Sequence, residues 1–192
     1  MPSVKPIMAP LTDDLVRELR VGDEVEISGE VYVARDAAHK RFAAALDKGE
    51  ALPFEIRDQV LYYMGPTPAP EGRPIGSAGP TTAGRIDPYT PRLLALGLRG
   101  MIGKGNRSPA VREAMQTYHA VYFVAIGGAG ALLARYITAS EVVAYAELGA
   151  EAVRRLRVAQ FPAIVANDMY GGDLFESGKQ QYRRTIPERA EA

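Results

Sequence analysis

The sequence predicts an α/β fold in which a mixed, largely parallel central sheet forms a single domain over residues 1–192. Apolar runs of strand length alternate with segments of helix length in the middle third of the chain, a pattern typical of βαβ units with parallel strands. Strand-like runs near both ends of the chain predict additional strands that pair antiparallel with the sheet. The ordered core is expected over about residues 10–177, with a polar C-terminal tail that frays after Ser177.

The first predicted elements are a strand and a helix. Residues 25–33 alternate apolar and polar side chains, which indicates a strand, and Gly29 marks a turn or bulge within it. Residues 36–48 carry an apolar stripe at helical spacing, with Asp36 as the expected cap and Gly49 as the expected stop.

The rest of the chain continues this alternation. Residues 65–80 are rich in Pro and Gly and are expected to form a long loop, which in a compact domain is often functional. Pro88 and Pro91 interrupt the helical pattern that follows Thr81, so a short turn and then a main helix from about Pro91 are expected. The remaining predictions are strands over residues 59–64, 98–102, 120–126, 141–145, 152–158 and 163–166, and helices over residues 108–117 and 127–137.

Composition excludes several classes of function. The chain has 23 Lys and Arg against 23 Asp and Glu, and this balance argues against a general nucleic-acid or membrane-surface binder. There is no cysteine, so this chain contains no disulfide, thiol nucleophile or cysteine-held metal cluster. With only His39 and His119, a histidine-rich metal site is not expected. No apolar run reaches transmembrane length and no signal-peptide pattern is present, so a cytoplasmic protein is expected.

The most informative segment is residues 76–87. Small residues open a turn, Thr81 and Thr82 follow side by side, and Arg85 lies four positions after Thr81. Free N–H groups and hydroxyls at the start of a helix bind anions, so the segment predicts a site for a small carboxylate or phosphate compound. Hydroxyls before a helix are also commonly plain N-caps, and the residue types alone favour neither interpretation.

Other candidates follow predicted strands. Lys104 lies in the small-residue turn at residues 101–108, where it can reach a ligand in the crevice of a parallel sheet, although an ordinary turn with a solvated lysine is the alternative. Arg35 also ends a strand. His39 is expected to be packed or exposed rather than catalytic. The glycine turn at residues 127–130 lacks dinucleotide-binding spacing and is expected at the edge of the site.

Four short segments, taken in order, resemble those of one enzyme family. They are residues 35–41 (Arg-Asp-Ala-Ala-His-Lys-Arg), 79–87 (Gly-Pro-Thr-Thr-Ala-Gly-Arg-Ile-Asp), 101–108 (Met-Ile-Gly-Lys-Gly-Asn-Arg-Ser) and 161–168 (Phe-Pro-Ala-Ile-Val-Ala-Asn-Asp). Together they resemble the β subunit of the iron–sulfur hydro-lyases, the class I fumarase and L(+)-tartrate dehydratase family. In single-chain relatives the same segment is the C-terminal domain.

The resemblance implies a swivelling β/β/α domain and a partner α subunit whose three cysteines hold a 4Fe-4S cluster. The active site would lie between the two subunits, and the absence of cysteine here is consistent with that division. The unique iron of such a cluster would act as a Lewis acid on the leaving hydroxyl of the substrate. A higher hetero-oligomer is expected, with a homodimer as the alternative for the isolated chain.

The resemblance also implies residue roles. Thr81 would be the base that takes the proton from carbon, activated by surrounding cations, and Thr82 would hydrogen-bond the substrate or orient Thr81. Arg35, Arg85 and Lys104 would bind the two carboxylates of a small dicarboxylate substrate. No metal ligand is expected in this chain.

The leading expectation is therefore the β subunit of a class I fumarate hydratase, which interconverts fumarate and (S)-malate. One alternative is the β subunit of L(+)-tartrate dehydratase, because the substrates differ by one hydroxyl and the same motifs serve both. Another is a non-catalytic anion-binding module of the same fold, although a decayed module would be expected to lose part of the set formed by Arg35, Thr81, Arg85 and Lys104.

Overall fold

A seven-stranded mixed sheet organises the computed structural model, which describes residues 4–183. The strands are β1 (Lys5–Ala9), β2 (Glu24–Val33), β3 (Val60–Tyr62), β4 (Gly100–Gly103), β5 (Val121–Val124), β6 (Ile137–Ala144) and β7 (Val153–Asn167). The α-helices are α1 (Asp13–Glu18), α2 (Asp36–Asp47), α3 (Thr90–Ala95), α4 (Pro109–Tyr118), α5 (Gly130–Leu133) and α6 (Leu174–Tyr182), and 3-10 turns occur at Ala83–Arg85, Ala134–Tyr136 and Ala146–Glu151.

The sheet closes on itself. Its strand order is β1-β2-β3-β4-β5-β7-β6, and an additional pairing joins β2 to β7, so that β2, β3, β4, β5 and β7 form a ring. Strands β1 to β5 are parallel, whereas β7 runs antiparallel to β2, β5 and β6. The predicted α/β class and mixed sheet are confirmed, whereas the swivelling character stays a prediction.

The expected irregularity at Gly29 is confirmed as a register shift between Ile27 and Gly29 in the pairing of β2 with β7. Gly29 has φ +107°, and a Cβ there would lie 2.2 Å from the carbonyl oxygen of Ala9. Glycine is therefore required for β1 to approach β2 this closely.

Two hydrophobic cores lie on opposite faces of the sheet because side chains alternate along each strand. The inner core fills the closed sheet and includes Val31, Tyr62 and Phe161, the last two rings meeting edge to face at 5.3 Å. The outer core, which includes Tyr63 and Tyr122, packs against α2, α3 and α4. The two layers hold the strand ends that carry the candidate site.

Several predicted boundaries were wrong. Strand β1 and helix α1 were not predicted, and the two strands expected over residues 152–158 and 163–166 form one strand, β7. Pro162 does not break β7, because β7 continues to pair with Glu26 of β2 at that point. The helix expected over residues 127–137 is limited to α5 and a 3-10 turn, and β6 begins at Ile137.

The expectation of fraying directly after Ser177 was also wrong, since α6 continues to Tyr182. Asp173 caps this helix by accepting hydrogen bonds from the N–H groups of Phe175 and Glu176, and it forms an ion pair with Arg112 of α4 at 2.6 Å. The rest of the predicted tail, and residues 1–3 of the predicted single domain, lie outside the described residues. Within residues 4–183, no helix is long and apolar enough to cross a membrane.

Candidate active site

The predicted site residues lie where β2, β3 and β4 end. Arg35 follows β2 by two residues and Lys104 directly follows β4. The short segment that carries Thr81 and Thr82 is extended and lies between Arg35 and Lys104. The Thr81 N–H donates to the Tyr63 carbonyl at 2.7 Å, and the Lys104 N–H donates to the Thr81 carbonyl at 3.1 Å. The structure thus brings together the two motifs that carry Thr81, Thr82 and Lys104.

The expected anion site at a helix N-terminus is not present in the predicted form. Only a three-residue 3-10 turn, Ala83–Arg85, follows the two threonines. The N–H of Thr81 is bound to Tyr63 and the N–H of Ala83 donates to the Lys104 carbonyl at 2.8 Å, so neither is free for a ligand.

Thr82 gives no support to the alternative in which the two hydroxyls act only as helix caps. Thr82 occupies the N-cap position of the 3-10 turn but makes no side-chain cap hydrogen bond. Thr81 precedes the cap position and lies in the extended segment, half-buried, whereas Thr82 is exposed. Thr82 is thus left available for contact with a ligand.

Arg35 and Arg85 meet at one carboxylate, that of Asp36. The Arg85 Nε donates to Asp36 Oδ1 at 2.9 Å, and an Arg35 terminal nitrogen lies 3.8 Å from Asp36 Oδ2. The same Arg35 nitrogen lies 3.5 Å from Glu151 Oε1. Two cations from segments 50 positions apart are therefore held side by side at one carboxylate.

Asp36 was predicted as the cap of α2, and this assignment was wrong. Arg35 occupies the N-cap position, and Glu151 Oε2 accepts the N–H of Ala37 at 2.8 Å. Asp36 is thereby free to hold the arginines. Sequence reasoning missed Asp36 because it was assigned as a helix cap, and it missed Glu151 because that residue lies more than 100 positions away and follows no recognisable motif.

The glycine turn after β5, expected at the edge of the site, lies beside Lys104. A Cβ on Gly127 would lie 3.5 Å from Lys104 Cδ, so the lysine side chain runs along this turn. Lys104 is exposed, and the flanking Ile126 is 67% exposed. The site is therefore open to the surface on this side.

A buried ion pair joins the two motif segments beneath the site. Arg107, whose side chain is 0% exposed, donates from Nε to Asp87 Oδ1 at 2.8 Å and from a terminal nitrogen to Thr90 Oγ1 at 2.8 Å. Asp87 Oδ2 also accepts the N–H of Ser108 at 2.6 Å. Burial by itself would lower the pKa of Arg107, but Tyr63 and Asp87 outweigh it, and the pKa is raised.

His39 is packed, as expected, and it supports Arg35 from below. Its ring is fully buried against Phe42 and Tyr63, and Nδ1 lies 2.8 Å from the Arg35 carbonyl oxygen. Because a carbonyl only accepts, Nδ1 must carry the proton. Burial lowers the pKa of His39 from 6.5 to about 4, so the ring is neutral near pH 7.

Comparisons with known proteins agree with these motifs. A family model described as Fumarase C-terminus matches residues 4–178. The aerobic class I fumarate hydratase of Escherichia coli K12 is 41% identical over 175 residues, which cover 90% of this chain and 31% of that protein. The mitochondrial fumarate hydratase 1 of Leishmania major is 41% identical over 158 residues, 81% of this chain and 29% of that protein.

A third relative has a different name and length. A Methanocaldococcus jannaschii protein that carries the provisional name L(+)-tartrate dehydratase subunit beta is 34% identical over 181 residues, which cover 91% of this chain and 93% of that protein. The chain thus spans about a third of the fumarate hydratases that it matches, but nearly all of this shorter relative.

The neutral, buried His39 predicts a loss of stability in acid. Unfolding restores a pKa near 6.5, so the unfolded chain binds an extra proton between pH 6.5 and about 4. The free energy of unfolding should fall by roughly 3 kcal/mol as the pH drops through this window. Denaturant titrations at a series of pH values should show a smaller fall for His39→Asn than for the wild-type protein. Equal pH dependence in the two proteins would contradict the prediction.

The buried pair predicts a large effect at Asp87. Asp87→Ala leaves the Arg107 charge buried without its carboxylate, which should lower the free energy of unfolding by about 3–5 kcal/mol. Asp47→Ala is the control, because Asp47 forms an exposed ion pair with Arg92, and its loss should change stability by about 1 kcal/mol or less. Chemical denaturation measures both values, and similar losses in the two variants would show that burial of the pair is unimportant.

Proposed function

This chain belongs to the Fumarase C-terminus family, and we propose that it is the β subunit of a class I fumarate hydratase. It would hydrate fumarate reversibly to (S)-malate at a site shared with an α subunit. The observation that carries the proposal is the grouping of Thr81, Thr82 and Lys104 at adjoining strand ends, with Arg35 and Arg85 paired at Asp36. Hydroxyls and cations in this arrangement suit a dicarboxylate and a proton transfer.

The 4Fe-4S cluster of the proposal belongs to the α subunit. This chain has no cysteine, and residues 4–183 contain no group of three or more potential metal-ligating side chains. These residues do not fit an iron–sulfur cluster, which is held by thiolates. The proposal therefore places the cysteines in the α subunit, and the exposure of Lys104 and Ile126 leaves a surface on which that subunit could close the site.

The residues of this chain would contribute binding and proton transfer. Arg35 and Arg85 would each bind a substrate carboxylate through guanidinium N–H groups, and Lys104 would add a third positive charge. Thr81 would take the proton from the substrate carbon. A threonine hydroxyl is a weak base, so nearby cations must favour its deprotonated form. Thr82 would hydrogen-bond the substrate or orient Thr81.

A β subunit of L(+)-tartrate dehydratase is the second candidate. The match to the Methanocaldococcus jannaschii relative covers 93% of that protein, whereas the fumarate hydratases are covered to about a third. Higher identity to the fumarate hydratases, 41% against 34%, favours fumarate as the substrate. The same carboxylate-binding residues would serve either compound. A cytoplasmic location stays a prediction.

The proposal predicts that activity requires both chains. The protein should be co-expressed with a cysteine-bearing chain encoded beside it and purified under anaerobic conditions as a complex. The complex should hydrate fumarate and dehydrate (S)-malate, while this chain alone should be colourless and inactive. Assays with both tartrate enantiomers test the second candidate. Turnover by this chain alone, or a complex inactive on all these compounds, would overturn the proposed function.

Thr81→Ala separates catalysis from structure within that complex. Loss of the proton acceptor should lower kcat by about 10²–10⁴-fold, with KM and melting temperature little changed. Thr81→Ser keeps the hydroxyl and should retain much of the activity. Thr117→Ala, on an exposed face of α4, is the matched control and should behave as wild type.

Arg85→Lys should affect substrate binding, in contrast to Thr81→Ala, because lysine keeps the positive charge but lacks the planar guanidinium group. It should raise KM, and it should lower kcat as well if the fork sets the geometry of the reacting carbon. A Thr81→Ala variant with normal kcat and a lower melting temperature would show that Thr81 is structural.

A further inference from the structure

Arg154 faces the inside of the closed sheet without a partner. In β7 it pairs with Val33 of β2, and two residues further along Leu156 pairs with Val31. Leu156, Val31 and Val33 all belong to the inner core. Because alternate residues of a strand share a face, Arg154 lies on the inner face too, at the end where the core meets the Pro-rich loop.

The Arg154 side chain has a hydrogen-bond donor that no neighbouring group satisfies. Its Nε is buried and has no hydrogen-bond partner among residues 4–183, and no carboxylate of these residues forms an ion pair with it. The neighbouring acid, Glu151, is already used by Arg35 and by the N–H of Ala37. Arg154 is half-buried, and burying its Nε without an acceptor is unfavourable, so an anion within reach of this side chain would satisfy the nitrogen.

A cavity of about 270 Å³ adjoins this guanidinium. Its walls are formed by the loop residues 66–69 and 74–75, by Gly149 and Ala150, and by Arg154 itself. Three prolines, Ala69 and Ile75 supply the apolar part of the walls, and Thr67 is the other side chain with a polar group. Arg154 is the one charged side chain that lines the cavity, so the cavity combines a cation with apolar walls.

The cavity is separate from the candidate active site. None of the five candidate site residues lines it, although Arg35 is near, since a Cβ on Gly65 would lie 2.7 Å from an Arg35 terminal nitrogen and 3.0 Å from the carbonyl of Ala150 in the cavity wall. Arg35 forms ion pairs with Asp36 and Glu151, whereas no carboxylate of the described residues forms one with Arg154. Of the two arginines, only Arg154 lines the cavity.

We propose that this cavity is a second anion site, in which Arg154 binds the carboxylate of a small organic acid. A carboxylate offers two acceptor oxygens to the planar fork of the guanidinium, and a short hydrocarbon part suits the proline, alanine and isoleucine walls. The cavity volume limits the ligand to a compact acid. The inference does not depend on the proposed hydratase function.

The test is a titration of the isotopically labelled full chain, followed by NMR. The probes are sodium succinate, sodium acetate and inorganic phosphate, each added at constant ionic strength. Saturable shifts in the amides of Thr67, Ala69 and Ala150 are expected with the carboxylates, and weaker effects with phosphate. Shifts that stay linear to high concentration, or tighter binding of phosphate, would overturn the proposal.

Variants locate the bound anion. Arg154→Met keeps much of the apolar side chain and should weaken binding about tenfold or more, because a charge-assisted pair of hydrogen bonds is lost. Arg157→Met is the matched control, an arginine of the same strand that is exposed, and should bind as wild type. Lys104→Met should also leave these shifts unchanged. Saturable shifts lost in Lys104→Met but kept in Arg154→Met would place the anion at the candidate active site and refute the second site.

The wild-type titration remains decisive even if Arg154→Met does not fold, because the positions of the shifted amides alone locate the ligand. Failure of the hydratase assay would leave this result untouched. Absence of saturable shifts in the wild-type chain would overturn the proposal whatever the assay shows.

Discussion

The antiparallel pairing of β2 with β7 turns an open sheet into a closed one, and the positions of the charged groups depend on it. Without that pairing the inner faces of β2 and β7 would have no common core. Because β7 runs against β2, its first residues lie beside the last residues of β2. Glu151 and Arg154 are thereby brought to the end where Arg35 leaves the sheet.

Charge placement at this end follows a consistent pattern. Arg35 and Arg85 share Asp36, and Arg107 is matched by Asp87. Each carboxylate holds a cation from a distant segment, which fixes loops that have little apolar surface of their own. Arg107 joins the loop after β4 to the segment after Thr81, so the candidate base rests on a pair buried beneath it.

Arg154 departs from this pattern, since its Nε is buried without a partner and no carboxylate of the described residues forms an ion pair with it. The proposed second site would give this group an external carboxylate as its acceptor. The surface is also open at Lys104 and Ile126, which lie exposed beside residues suited to a polar ligand. The two places suggest different partners, a small organic acid at Arg154 and a second subunit at Lys104 and Ile126.

The sequence by itself determined the α/β class, the mixed sheet, the bulge at Gly29 and the four motif segments, because strand periodicity, glycine conformation and short motifs are local properties. It also determined that no cysteine of this chain can hold a cluster. Only the tertiary structure decided that Thr81 lies in an extended segment bound to Tyr63, and that Glu151 rather than Asp36 caps α2. The closure through β7, the Arg107–Asp87 pair and the setting of Arg154 likewise join residues far apart in the chain. These interactions depend on burial and on partners that are distant in the sequence, and no local sequence pattern encodes either.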